Sequence, residues 1–267
     1  MWYQNRSELD RISEAGVYHY IGNNGNPIVR MNASFWLECE KDDTAFTQPA
    51  IQTGNWEAWV AVAIMRELND LNDVYLPWFM DIGANNGYYS LMASTAGYVT
   101  MSFEPNPTLA DMLERSFRIN LADNYGVHTI ALSDKEGKAK LYQHPNHSGA
   151  GSLETDESVE SIEVETNFLD NYYSVYEENE PVVLKVDVEG HERNVWNGAK
   201  KIREATNNVW FLEWVPVRHG KDYNREWLTE VLETHDLQMV NYDGTLRPVG
   251  IEEALEVEFE TIVFRKR

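Results

Sequence analysis

The chain of 267 residues holds a single cysteine, Cys39, so neither an intramolecular disulfide nor a multi-cysteine metal centre can form. This fits a reducing compartment, and the expected location is the cytoplasm. No stretch approaches the roughly 18 consecutive apolar residues of a membrane span. The opening Met1-Trp-Tyr-Gln-Asn-Arg-Ser-Glu-Leu-Asp10 lacks the apolar run of a signal peptide, so no membrane association is expected. Basic residues are scarce: 22 Lys plus Arg face 44 Asp plus Glu, a formal charge of −22. Nucleic acid or an anionic lipid surface would be repelled, so neither is expected as a partner. The acid is spread along the chain, which suits a solvated, highly charged surface. With 43% hydrophobic and 12% aromatic residues the chain can still bury a substantial core, which excludes disorder and fibrous repeats.

The pattern divides the chain into an N-terminal extension, residues 1–53, and one larger domain, residues 54–267. The extension has β-like runs at Val17–Ile21, Ile28–Met31 and Ser34–Glu40, around the turn-rich Gly22-Asn23-Asn24-Gly25-Asn26-Pro27. With Asn55 as N-cap, Trp56, Trp59, Val60, Ala63 and Ile64 recur at helical spacing as far as Leu68. Beyond residue 78, strand candidates alternate with helix patterns: Trp78–Ile82, Val99–Phe103, Val127–Leu132, Val182–Val188 and Val209–Trp214. Such alternation predicts an α/β fold with a Rossmann-like, mostly parallel open sheet.

Asn106 and Pro107 open a helix whose apolar face is Leu109, Met112, Leu113 and Phe117. Further helices run from Glu192 through Val195, Trp196, Ala199 and Ile202, and from Asn224 through Leu232. Leu237–Tyr242, the turn Asp243-Gly244 and Phe259–Phe264 predict an antiparallel C-terminal pair. Gln143–Ser161, small, polar and glycine-rich, reads as a loop, either a surface excursion or a substrate lid.

The strongest local signal is Asp81-Ile82-Gly83-Ala84-Asn85-Asn86-Gly87, directly after a strand and opening into a helix. Gly83 and Gly87 permit a tight turn and close approach by a ligand, and the helix start offers free N–H groups. Glu104, 21 residues after Gly83, ends the next strand, where an acidic side chain accepts hydrogen bonds from ribose hydroxyls. The competing reading is a structural turn whose glycines only allow packing. A dinucleotide site expects Gly-x-Gly-x-x-Gly, and Asn85 stands in the middle place. That departure favours a cofactor without phosphates but with a ribose and an amino-acid tail, whose ammonium Asp81 can meet. S-adenosylmethionine fits, whereas a nicotinamide-dependent oxidoreductase lacks its three-glycine turn here.

Four motifs in order, Asp81-Ile-Gly-Ala-Asn-Asn-Gly87, Phe103-Glu-Pro-Asn-Pro107, Ala131-Leu-Ser-Asp134 and Lys185-Val-Asp-Val-Glu-Gly-His-Glu192, make the chain resemble the FkbM family of methyltransferases from about residue 54 to 215. The resemblance implies a class I methyltransferase fold, S-adenosylmethionine as methyl donor, and an oxygen of a sugar or small natural product as acceptor. It places Asp81, Gly83, Ala84, Asn85 and Gly87 around the methionine part of the cofactor. Glu104 falls on the ribose, and Ser133 and Asp134 near the adenine. Glu57 falls close to the methionine end, or is simply a favourable charge in the first turn of a helix.

At the carboxyl ends of the later strands, Asp187, Glu189 and His191 are the candidates to take the proton of an acceptor hydroxyl. His191 has a near-neutral intrinsic pKa but can equally contact backbone at the helix start. Lys185, inside a strand, either pairs with Glu213 or extends its stem to solvent. Asp187 and Glu213 can share a divalent ion such as Mg2+ with acceptor hydroxyls, or else pair with Lys185 and hold no metal. The expected activity is O-methyl transfer to a glycan or small-molecule hydroxyl. The alternatives are N-methylation of a peptide or small amine and a noncatalytic nucleoside-binding module. The Asn/Asp-Pro-Pro-aromatic signature of nucleobase amine methylation is missing at the fourth strand. A homo-oligomer is compatible with the sequence.

Overall fold

The computed structural model describes residues 19–22, 24–72, 76–144, 146–154, 158–173, 180–205 and 207–267. The readings made on residues 1–18, including the start of the Val17–Ile21 run, lie outside them. The extension forms a three-stranded antiparallel sheet, β1 (His19–Ile21), β2 (Pro27–Arg30) and β3 (Trp36–Glu38), followed by a short helix, α1 (Thr47–Thr53). Val29, Met31, Phe35, Leu37, Cys39 and Phe46 are buried in one core with Val60, Ile64, Leu91 and Phe117 of the larger domain. A polar staple joins the two. Buried Glu38 accepts two hydrogen bonds from Arg115, at 2.8 and 2.9 Å, and one each from Asn24 and Asn26. Burial pushes the Glu38 carboxyl up, but these donors hold it below its ordinary range.

The larger domain runs α2 (Ala58–Leu71), β4 (Trp78–Ile82), α3 (Tyr88–Thr95), β5 (Val99–Phe103), α4 (Pro107–Ile119) and β6 (Tyr125–His128). An excursion of β7 (Ala131–Leu132), β8 (Gly137–Gln143) and β9 (Glu160–Asn167) follows. The chain returns through β10 (Val182–Val186), α5 (Glu192–Asn197), α6 (Lys200–Glu204), β11 (Asn208–Trp214) and α7 (Lys221–Val231). It closes with β12 (His235–Val240), β13 (Leu246–Pro248), α8 (Ile251–Glu256) and β14 (Glu260–Lys266). The main sheet has the order β13-β12-β14-β11-β10-β4-β5-β6, with β11, β10, β4, β5 and β6 parallel and β14 antiparallel to both its neighbours. Parallel strands are covered by helices on both faces, which is why every residue of β10 is buried. The chain leaves β4 toward β5 on one side and returns at β10 on the other, so the crevice above the carboxyl ends of β4 and β10 is the topological switch point. Among the described residues no helix is long and apolar enough to cross a membrane.

Asn106 caps α4 as the sequence indicates, accepting from Thr108 N at 2.9 Å, with Pro107 in the first turn. Elsewhere local reading misses. Glu57 rather than Asn55 precedes α2, because the Asn55 amide turns back to the Thr53 carbonyl. Val127–Leu132 is not one strand: Ile130 N donates to His128 O in a tight turn, β6 closes the main sheet, and β7 pairs with β9 in a separate one. The helix expected from Glu192 to Ile202 is broken. Gly198 lies so close to the Ser133 carbonyl that a Cβ would come within 2.1 Å of its oxygen, and the Asp170 carboxylate accepts from Lys201 N in the first turn of α6. The terminal antiparallel pair is present as β12 and β14, but the Asp243-Gly244 turn joins β12 to β13.

Candidate active site

A cavity of about 1030 Å³ opens at the switch point. Its floor is the turn after β4. Gly83 and Gly87 have left-handed backbones, with φ of 78° and 88°. A Cβ at Gly83 would stand 1.8 Å from the Asp187 carbonyl oxygen, and one at Gly87 2.0 Å from the Leu113 side chain. The close approaches that demand glycine are therefore to the end of β10 and to α4, within the protein. The turn hangs on β5: Gly83 and Ala84 donate to the Phe103 carbonyl, and Asn85 N donates to Glu104 Oε2 at 2.8 Å.

Two buried carboxylates flank this turn. Asp81 Oδ2 accepts from Ser90 Oγ at 2.5 Å, and burial pushes its pKa up to about 6. Glu104 accepts Asn85 N on one oxygen and Asn106 N on the other, both at 2.8 Å, and burial raises it to about 7 against the pull of those bonds. Each oxygen keeps a second lone pair, the provision needed for a vicinal diol.

Because folded Glu104 holds its proton more tightly than the unfolded chain does, its contribution to stability is complete below about 4.5 and lost as pH rises to about 7. The stability of the wild type relative to Glu104→Gln is accordingly expected to fall through that window and then level off. Thermal unfolding of both proteins across the pH range checks this, and a flat difference refutes it.

The ends of β10 and β11 carry the second group. Lys185 is 1% exposed and bonds Asp187 Oδ2 at 2.9 Å, with its Nζ 5.4 Å from the centre of the Tyr89 ring. It neither reaches solvent nor takes Glu213 as its hydrogen-bonded partner, because the stem is enclosed by the sheet and Asp187 is nearer. Burial works against its charge, yet Asp187, Glu57 and Glu213 together hold its pKa above the ordinary lysine value. Glu213 pairs instead with Arg218, at 2.6 Å, and the same guanidinium bonds Glu189. Burial, reinforced by Asp187, raises both Glu213 and Glu189 above the ordinary carboxylate range, against the pull of Arg218.

Ligand oxygens of Asp187, Glu189 and Glu213 lie within 4.8 Å of one another. These three carboxylates already share two side-chain cations, Lys185 and Arg218. A Mg2+ ion among them would face these two fixed cations, so the donor set does not fit a ready-made magnesium site.

Glu57 makes no capping bond to α2; its carboxylate accepts from Tyr89 Oη at 2.6 Å in the cavity wall. His191 also lines the cavity, but both ring nitrogens are engaged, Nε2 with Ser133 Oγ at 2.9 Å and Nδ1 with Glu154 at 3.3 Å, and burial lowers its pKa. Ser133 and Asp134 stand behind His191 and α5, with Asn194 donating to Asp134, and are not among the cavity walls. Ala84, Asn85, Gly87 and Glu104 are walls.

Sequence reasoning did not single out Arg218 or Tyr89; of the expected loop, residues 143, 144, 146–151, 153, 158 and 159 line the cavity. The walls bear the carboxylates of Glu40, Glu57, Asp81, Glu104, Glu160, Asp187, Glu189 and Glu213, against the cations Lys185 and Arg218. Glu57, Asn85, Asn146 and Glu189, all wall residues, adopt left-handed backbones that cost non-glycine residues energy, a concentration of strain usual at functional sites.

The switch-point crevice and the polar strand ends around it define an α/β protein of open-sheet type with a large cavity at the ends of its parallel strands. The model of the methyltransferase FkbM domain matches residues 81–236, and the chain belongs to that family, with the class I methyltransferase fold. A curated relative, hexuronic acid methyltransferase AglP from Haloferax volcanii, is 30% identical over 133 residues, covering 48% of this chain and 52% of the relative. The chain thus spans about half the length of the curated relative it matches. Among solved structures, magnesium protoporphyrin IX methyltransferase from Synechocystis PCC 6803 with bound SAM matches with a TM-score of 0.45 and 13% identity, over 84% of this chain and 86% of that one. An rRNA methylase from Streptococcus thermophilus matches at 0.40 and 11%, over 79% and 93%.

Proposed function

We propose that the protein is an S-adenosylmethionine-dependent O-methyltransferase acting on a hydroxyl of a sugar or small natural product. The observation that carries this reading is Asp187, a carboxylate in the cavity wall whose Oδ2 is held by a buried lysine. Oδ1 is left to accept the proton of a hydroxyl as that oxygen attacks an electrophile. Bound S-adenosylmethionine would supply an electrophilic methyl group on a sulfonium.

Glu104 would take the ribose hydroxyls, and the turn from Gly83 to Gly87 the amino-acid end, with Asp81 beneath it. Ser133 and Asp134 are assigned only an indirect part near the adenine, through His191. The surplus of wall carboxylates favours a cationic cofactor. Family membership and the sugar-acid substrate in the relative's name support a hydroxylated acceptor. The formal charge of −22 supports a small acceptor over nucleic acid.

A second reading has one specific observation behind it: eight wall carboxylates against two cations also suit an amine acceptor. Incubation with radiolabelled S-adenosylmethionine and a panel of neutral hexosides, hexuronosides and small amines tests both, with products located by mass spectrometry. Label on a sugar oxygen is expected. Label confined to amines moves the assignment to N-methylation, and a protein that binds no S-adenosylhomocysteine ends the cofactor reading.

A further inference from the structure

The segment 146–154 lies across the cofactor turn. Gly149 is packed so that a Cβ there would sit 3.4 Å from Asn85 Nδ2, and Ser148 makes the joint. The Ser148 hydroxyl donates to the Asp43 carboxylate and accepts from Asn86 Nδ2 at 3.2 Å, while the same amide nitrogen donates to Asn85 Oδ1 at 2.9 Å. The directions are forced. A carboxylate only accepts, so the serine proton points to Asp43 and the group on the other side of the oxygen must be a donor.

That orientation leaves Asn86 Oδ1 buried without a hydrogen-bond partner, a cost the arrangement bears to keep the joint. Asp43 is 1% exposed and is fixed in turn by Ala45 N at 2.7 Å and Phe46 N at 3.0 Å. Beside it, Thr44 N donates to the Asn146 carbonyl at 3.0 Å. The N-terminal extension therefore grips the segment at two points, and through Ser148 it also grips the turn on which the cofactor would rest. Asp43 itself is not a cavity wall.

We propose that Ser148 is a positioning residue for the cofactor: by tying Asn86 of the turn to Asp43 of the extension, it holds the 146–154 wall in place and slows cofactor release. This rests on the reading of the cavity as an S-adenosylmethionine site. Release then requires the joint to part, and weakening the joint raises the release rate while the ribose contacts are untouched.

The test is a chase of bound tritiated S-adenosylhomocysteine from the full chain. Ser148→Ala is expected to release it at least about tenfold faster than wild type, the loss of one charge-assisted bond, and Ser148→Thr, which keeps the hydroxyl, at close to the wild-type rate. Asp43→Asn is expected to speed release although residue 43 does not line the cavity, and the double variant Asp43→Asn/Ser148→Ala to be no faster than Ser148→Ala alone. Wild-type release from Ser148→Ala, or multiplicative effects in the double variant, overturns the proposal. A wild type that binds no S-adenosylhomocysteine overturns the cofactor reading instead, and this proposal with it.

Discussion

Asp187→Asn is expected to lower kcat by about 10²–10⁴, the span of a lost general base, with affinity for S-adenosylhomocysteine nearly unchanged. Asparagine keeps the shape of the carboxylate and can still present an oxygen to Lys185 Nζ, which lies 2.9 Å from Oδ2. What it loses is the capacity to take a proton. A fall in kcat with steady cofactor affinity separates a step made in the transition state from uniform binding. His191→Ala is expected to cost less, because both nitrogens are occupied by Ser133 and Glu154 and neither is free for an acceptor. Glu189→Gln is likewise expected to cost less, its carboxylate being bound to Arg218. Initial rates with whichever compound of the panel takes up label, together with calorimetric titration, decide the order. Full turnover in Asp187→Asn would remove it from the chemistry.

Lys185→Met is expected to destabilise the fold by about 3 kcal/mol, the lower end of the cost of stripping one partner from a buried ion pair, since Asp187 is partly solvated. In a chain of this size that corresponds to a midpoint lower by roughly 6–12 °C. Methionine fills the space of the lysine stem, so packing is preserved and the loss reports charge. The ammonium faces Asp187, Glu57, Glu213 and Asp81, and without it these carboxylates are left facing one another. The destabilisation is therefore expected to shrink at low pH, as the carboxylates take up protons. Thermal unfolding of wild type and variant at acidic and neutral pH tests both parts. An equal loss at both ends would show that packing, and not charge, is what Lys185 supplies.

What could be read from the sequence was what local pattern and order carry. The βα alternation gave the parallel sheet, and Asn106-Pro107 gave the start of α4, because a cap and a first-turn proline act within three residues. The four motifs gave the family, now matched over residues 81–236. Long-range causes were not legible. The break after Asn197 depends on Asp170 and on the Ser133 carbonyl, both distant in sequence. The glycine at 83 answers to Asp187, more than a hundred residues on. Arg218 joined the acidic cluster unannounced, because an ion pair leaves no periodicity. The side chains of Ser133 and Asp134 bond His191 and Asn194, long-range contacts that the motif does not announce.

Cys39, fully enclosed among Leu37, Phe46 and their neighbours, has its thiol pushed far above the ordinary range by burial and by Asp43. A thiolate reagent can react only when this part of the core opens. With no second cysteine to compete, alkylation of the native protein becomes a single-site stopwatch for that opening. Asp43, which accepts from Ser148 of the cavity wall, lies four residues away, so slower alkylation in the presence of S-adenosylhomocysteine would measure how far ligand occupancy is felt in the extension.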